Sequence, residues 1–340
     1  MKILLAGFGV VGRSFVRLLG EHGGELYRRH GLAARLVGVV DSRGAAVSEK
    51  GLDPATILAA KERAGTVGAA GVGFSTQDAI RIIEETDADV MIEATPSSVA
   101  APQGAMERLK CAMRCGRHVI SVNKGPLAVA MPALLELAKY NRVEFRFSGT
   151  VGGGTPMLAT AREAARGDEV VAVRAILNGT TNFILSRMHA QGEAFDAALA
   201  EATRLGYAET DPSTDIDGVD TATKVVILAN WVLGRAITLQ DVAVTGIRGL
   251  PEARIRDAAA RGMRVKLIGA VNGGQTTVAP EEIPAGSPMD VPANLNAMTL
   301  TLRTAGDITL IGRGAGGPET ATAVARDLLD IWHATGERRE

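Results

Sequence analysis

"KILLAGFGVVGRSF", residues 2–15, decides the fold. The apolar run that ends in glycine reads as a buried parallel strand, and helical spacing follows from Val10 to about Leu26. Between them Gly7, Gly9 and Gly12 stand in G-x-G-x-x-G spacing. In a strand–turn–helix setting these glycines serve a tight turn, close approach of backbone to a pyrophosphate, and helix–strand packing. The helix start offers free N–H groups and a positive dipole end to phosphates. Phe8, Val10 and Val11 complete this candidate cofactor-binding loop. The stretch predicts a Rossmann-type α/β domain, a doubly wound parallel sheet that binds NAD or NADP.

The next strand, "RLVGVVD", ends in Asp41, 29 positions after Gly12, so the first helix or its following loop is extended. An Asp there would bond adenine-ribose hydroxyls and favour NAD. Arg43, two residues on, and Lys61, if it folds back, would suit the 2′-phosphate of NADP, so both cofactors stay open. Further strands are expected at 89–95, 118–123 and 143–147, with helix-like segments between. Ligands of such sheets bind outside the C-terminal strand ends. That places Thr95 and Pro96 of "EATPSS" beside the nicotinamide, with Asn123 and Lys124 of "SVNKGPLA" on the same crevice edge.

After the glycine-rich stretch 149–154 the rhythm changes. Helices are expected near 180–190, 195–205 and 218–233, with strands at 170–177, 263–271, 297–304 and 307–313 and a last helix at about 317–333. The domains expected are a dinucleotide-binding domain over 1–148 and an α+β catalytic and dimerisation domain over 149–309. The segment from about 310 to 340 is expected to pack back onto the first.

A net charge of −1 and an aromatic share of 4% argue against nucleic-acid binding, and Arg338–Arg339 reads as solvated tail charge. No apolar run reaches membrane-spanning length, and the N-terminus lacks the marks of a signal peptide, so a cytoplasmic protein is expected. Cys111 and Cys115, at i and i+4 of an expected helix, read as reduced thiols.

"GYAETDPSTDIDGVDTATK", residues 206–224, gathers five carboxylates ahead of Lys224. "STDIDG" resembles the middle of a calcium loop, but the register would put Lys224 at the position of the bidentate glutamate. Histidines are too dispersed for zinc. Asp220 and Lys224 lie one helical turn apart. The five carboxylates could hold a metal, coat a loop or hold a positively charged substrate. From spacing alone the Asp220–Lys224 pair also fits an ordinary exposed i,i+4 ion pair. An amino-acid dehydrogenase acting on a C–N bond and a non-enzymatic NAD(P)-binding regulator are the rival readings. A phosphorylating semialdehyde dehydrogenase would need a crevice cysteine.

"GFGVVGRSF", "SVNKGPLA", "TVGGGTP", "ILNGTTNFIL", "GYAETDPSTDIDGVDTATK" and "GRGAGG", in this order, resemble homoserine dehydrogenase over nearly the whole chain. The resemblance implies reversible NAD(P)-dependent reduction of L-aspartate 4-semialdehyde to L-homoserine, on the route to threonine, methionine and isoleucine. It also implies a homodimer and a monofunctional enzyme without an aspartate kinase or a regulatory ACT domain. Lys224 matches the acid/base lysine, Asp220 the carboxylate before it, and Lys124 the lysine between nicotinamide and substrate. Glu209, Asp215, Thr180 and the adjoining Gly179 match substrate positions; Gly206, Gly314 and Gly316 match positions near the cofactor. "TVGGGTP" matches a loop whose carbonyls hold a monovalent cation, Na+ or K+, in some members. Here those would belong to Val151, Gly153 and Thr155, although Ser148 stands where some relatives carry a glutamate.

Overall fold

The computed structural model describes residues 1–70 and 78–336, so Arg338–Arg339 lie outside the described residues. The chain divides into two compact units, Met1–Thr150 with Gly316–Glu340, and Val151–Ala315.

In the first unit the elements run β1 (Lys2–Ala6), α1 (Val10–His30), β2 (Arg35–Asp41), β3 (Gly44–Val47), α2 (Pro54–Ala64), α3 (Ala79–Glu85), β4 (Val90–Glu93), α4 (Gln103–Arg114), β5 (His118–Ser121), α5 (Gly125–Tyr140) and β6 (Phe145–Arg146). The sheet order is β3-β2-β1-β4-β5-β6. All neighbours are parallel except the β2–β3 pair. Residues 3–6 of β1 and all of β4 are buried, as expected of strands covered on both faces. Strand order reverses between β1 and β4, which makes their C-terminal ends the switch point where ligands of such sheets bind.

Helix α1 runs to His30, four residues past Leu26, and ends on Gly31 in the left-handed region, whose N–H bonds the Tyr27 carbonyl. The extended helix accounts for the long spacing to Asp41. Strand β3 was not expected: "GAAV" is short and has little strand propensity, and it forms because Asp41 and Gly44 pair across a tight turn.

The second unit holds α6 (Met157–Ala164), β7 (Val170–Ile176), α7 (Gly179–Gln191), α8 (Phe195–Arg204), α9 (Ser213–Ile216), α10 (Val219–Val232), β8 (Ala243–Val244), α11 (Glu252–Ala260), β9 (Met263–Asn272), β10 (Gln275–Pro284), β11 (Leu295–Leu302) and β12 (Gly306–Arg313). Its order, β12-β11-β7-β9-β10-β8, is antiparallel except for β8 against β10. Sequence reading missed β10, because two prolines and two glutamates disguise the strand. Gly273 and Gly274, both at positive φ, turn β9 into it, a pairing signal that was present in the sequence.

Helix α12 (Gly317–Gly336) then completes the first unit, where Val324, Leu328 and Ile331 join Ile3, Phe15 and Leu19 in one core cluster. Among the described residues no helix is long and apolar enough to cross a membrane.

Asp327 of α12 is 1% exposed. One of its oxygens accepts the Ser148 N–H at 2.9 Å, and the other has no hydrogen-bond partner among the described residues. Burial, only partly offset by Ser148, pushes its carboxyl up to about 6. A carboxyl raised on folding contributes stability that is complete below its unfolded pKa and lost as pH rises through the folded value. Wild-type protein is therefore expected to lose on the order of 2–3 kcal/mol between acidic and neutral pH relative to Asp327→Asn. Urea melts of both proteins at the two pH values check this; parallel curves would refute it.

Candidate cofactor cleft and acid–lysine centre

A cleft of about 520 Å³ opens at the switch point of the first unit, lined by Gly7, Gly9, Arg13, Asp41, Lys61 and Thr95 among others. Its glycines divide by cause. A Cβ on Gly7, at φ +102°, would stand 2.4 Å from the Ala94 carbonyl carbon and the Thr95 nitrogen. One on Gly12 would stand 2.2 Å from the Gly7 carbonyl oxygen. The protein's own backbone thus requires both. Among the described residues, a Cβ on Gly9, the N-cap residue of α1, would meet nothing within 4 Å, and no side chain caps the helix there. The empty space over Gly9 and the uncapped helix start form a cradle that fits a pyrophosphate.

Asp41 lines the cleft where the ribose reading puts it, but its carboxylate is already engaged. Oδ1 accepts from the Arg43 N–H (2.9 Å) and Thr66 Oγ1 (3.0 Å); Oδ2 accepts from Lys61 Nζ (2.7 Å) and the Val67 N–H (2.9 Å). Burial would raise its pKa, yet these donors, Lys61 foremost, hold it below the ordinary carboxylate value. Lys61 does fold back to the strand end, while the Arg43 guanidinium turns to the Ala64 carbonyl at 3.0 Å.

The Thr95–Pro96 loop is locked from beneath. Glu93, fully buried, accepts the Thr95 N–H at 2.9 Å and pairs with Arg108 Nε at 2.7 Å. Asn123 Nδ2 reaches the Pro96 carbonyl and Thr95 Oγ1, each at 3.1 Å. The Lys124 N–H donates to Ser97 Oγ at 2.9 Å, so both crevice-edge loops form one hydrogen-bonded edge. Sequence reading missed Arg13, Glu93 and Arg108. Arg13 directly follows the third glycine, which was a usable signal; the Glu93–Arg108 pairing has no local signature.

In the second unit α10 is buried along Thr221–Asn230 and carries Lys224, 7% exposed, among apolar neighbours. Lys224 Nζ donates to Asp220 Oδ2 at 2.7 Å and to the Leu177 carbonyl at 2.6 Å. Asp215, on α9, joins through Asn178, whose amide reaches Asp215 Oδ1 at 2.6 Å and Asp220 Oδ2 at 3.0 Å. Burial first and the Asp220 charge second raise the Asp215 carboxyl above its ordinary value, against the opposing pull of Asn178, Thr180 and Lys224. Thr180, at the start of α7 next to Gly179, donates its hydroxyl to the Tyr207 carbonyl at 2.7 Å.

Four expected residues, Lys224, Asp220, Asp215 and Thr180, are therefore together. Glu209 is exposed and outside this hydrogen-bonded group. Asp211 caps the turn through the Ser213 N–H (3.1 Å), and Asp217 pairs with Arg248 (2.6 Å). Sequence reading missed Asn178, although an Asn ahead of a helical run is an N-cap signal.

The remaining expected positions are spread over turns. Gly206 lies in the turn after α8, and Gly314 is where the buried Asn296 side chain packs against the backbone. Gly316 adopts a positive φ just ahead of α12. Val151 is buried, Gly153 follows in a left-handed turn, and the Thr155 carbonyl accepts the Met157 N–H at 2.8 Å. Among the described residues no three His, Cys, Asp or Glu side chains gather as a metal site.

Comparison with known proteins sets this geometry in a family. The model described as "Homoserine dehydrogenase" matches residues 156–329, and "Homoserine dehydrogenase, NAD binding domain" matches residues 7–148. The chain belongs to the homoserine dehydrogenase family. Homoserine dehydrogenase of Methanocaldococcus jannaschii is 38% identical over 98% of this chain and 99% of its own. An NAD(+)-dependent homoserine dehydrogenase of Pseudomonas canavaninivorans is 34% identical over 100% of this chain and 98% of its own. Among solved structures, a hyperthermophilic archaeal homoserine dehydrogenase in complex with NADPH superposes with a TM-score of 0.85 at 28% identity, covering 98% of each chain. A homoserine dehydrogenase from Thiobacillus denitrificans gives 0.83 at 31% identity over 97% of this chain and 73% of that one. As a member of the family the chain is an NAD(P)-dependent oxidoreductase, reducing L-aspartate 4-semialdehyde to L-homoserine reversibly.

Proposed function

We propose that Lys224 is the acid/base of this reaction, held for it by Asp220. The observation that carries the assignment is a buried ammonium fixed by two acceptors, Asp220 Oδ2 and the Leu177 carbonyl, with a second carboxylate in the same network. An i,i+4 pair on an open helix face would be a surface ion pair of little worth. At 7% exposure this lysine has given up solvent, which surface pairs do not do.

When bound, the nicotinamide carries the hydride chemistry. Residues 7–12, Asp41, Arg43, Thr95 and Pro96 are assigned to hold the dinucleotide, and Lys124 to its reacting end. In the reducing direction Lys224 gives its proton to the carbonyl oxygen as negative charge develops there. In the oxidising direction a neutral Lys224 takes the hydroxyl proton. Asp215 and Glu209 are assigned to the substrate ammonium, with Gly179 and Thr180 beside it. Gly206, Gly314 and Gly316 are assigned to the cofactor, and the carbonyls of Val151, Gly153 and Thr155 to a Na+ or K+ ion. The first unit is assigned to the dinucleotide and the second to substrate and homodimer formation, in a cytoplasmic enzyme.

Initial rates of L-homoserine oxidation with NAD and NADP in parallel, with and without added K+ or Na+, test the cofactor and cation assignments together. Turnover with both cofactors is expected, since Lys61 sits against Asp41 and Arg43 is close by. A rate indifferent to both cations would remove the cation assignment. Glu209→Ala is expected to raise KM for homoserine about 10-fold or more with little change in kcat, as loss of uniform binding does. An unchanged KM would remove Glu209 from the site.

A further inference from the structure

Asn178 stands between β7 and α7, and its side chain is committed on both ends. Its Oδ1 accepts the Thr181 N–H at 2.9 Å and so caps α7. That bond settles which way the amide faces, because a backbone N–H can only donate. The NH2 group must therefore point at the carboxylates, where its two hydrogens are shared out, one to Asp215 Oδ1 (2.6 Å) and one to Asp220 Oδ2 (3.0 Å). Asp220 Oδ2 is the same atom that accepts from Lys224 Nζ, and the second acceptor for Lys224 is the carbonyl of Leu177, the residue before Asn178. One dipeptide at the end of β7 thus holds Lys224 by two routes, directly through Leu177 and indirectly through Asp220.

We propose that Asn178 is a positioning residue of the reaction, which keeps Asp215 and Asp220 side by side as carboxylates and so aims Lys224. The inference rests on the roles proposed above for Lys224 and Asp215. Capping alone does not require this residue, since Ser, Thr and Asp cap helices about as well as Asn. Of these four side chains only Asn also offers two hydrogens to two anions. Two neighbouring carboxylates repel, and each favours protonation of the other. Asp215, raised by burial and by the Asp220 charge, is drawn back toward the ionised state by the Asn178 hydrogen bond. Without that bond its protonation moves to higher pH, and a protonated Asp215 holds an ammonium poorly.

Asn178→Ser separates capping from positioning, because serine keeps the cap and loses both amide donors. Cofactor binding is expected to match wild type and Tm to fall only modestly, from the two lost donors, while kcat/KM for L-homoserine falls about 10- to 100-fold, the worth of a hydrogen bond to a charged group. The acid limb of its kcat/KM profile is expected to move to higher pH. Wild-type kcat/KM with an unmoved acid limb would overturn the proposal. Asn178→Asp keeps shape and cap but adds a third carboxylate, and its acid limb is expected to shift the same way. Should the serine variant not fold, an unmoved acid limb in Asn178→Asp overturns the proposal in its place. Lys224→Ala run alongside keeps the two readings apart: a fully active Lys224→Ala defeats the site assignment and this inference with it, whereas an inactive Lys224→Ala beside a normal Asn178→Ser defeats this inference alone.

Discussion

Lys224→Ala is expected to lower kcat for homoserine oxidation by about 10³-fold, the usual contribution of a positioned general acid or base. Binding of NADH or NADPH, followed by the fluorescence of the reduced nicotinamide, should stay within about two-fold of wild type, a difference of roughly 0.4 kcal/mol. The expectation separates the two because the glycine cradle that fits the pyrophosphate belongs to the first unit and Lys224 to the second. Removing the ammonium leaves Asp220 and the Leu177 carbonyl without that donor, so some stability is lost as well. Lys224→Met, which keeps most of the packed stem, serves as the control for that loss. An alanine variant that keeps most of its kcat would end the acid/base assignment.

The second large effect lies in the glycine turn, where neighbouring substitutions should fail for different reasons. Gly9→Ala places its methyl in open space, so the melting temperature should barely change, while affinity for NAD and NADP drops about 10- to 100-fold as phosphate loses its approach to the backbone. Gly7→Ala forces a Cβ to within 2.4 Å of the β4-side backbone at a φ of +102°. That combination should cost several kcal/mol, on the order of 3 or more, and lower the melting temperature along with cofactor binding. Melting curves with cofactor titrations decide the matter. A Gly9→Ala protein that binds cofactor normally would show that phosphate does not use the cradle; a fully stable Gly7→Ala would show that the turn can open.

The sequence carried most of what depends on local pattern. The parallel sheet was legible because its strands are short, continuous apolar runs placed between helical periods. Asp220 and Lys224 were legible because i,i+4 spacing places them on one face. What stayed hidden depends on partners distant in sequence. Nothing near Glu93 announces Arg108, and nothing near Asp41 announces that Thr66 and Val67 will fill its oxygens. Asn178 carried only the unread signal of an N-cap, and nothing marked it as the link between Asp215 and Asp220, since those acids come 37 and 42 residues later. Strand β10 is hidden for a different reason: its prolines and glutamates outweigh the signal of the double-glycine turn before it.

The return of α12 to the first unit has a consequence for how the chain is made. Synthesis proceeds from the N-terminus, and domains tend to fold as they emerge. Val151–Ala315 is continuous, so everything it needs is available before α12 is translated. The first unit emerges earlier yet waits longer, because Ile3, Phe15 and Leu19 remain without Val324, Leu328 and Ile331 until α12 leaves the ribosome. In order of birth the nucleotide-binding half begins first and is finished last, with its apolar face uncovered in between.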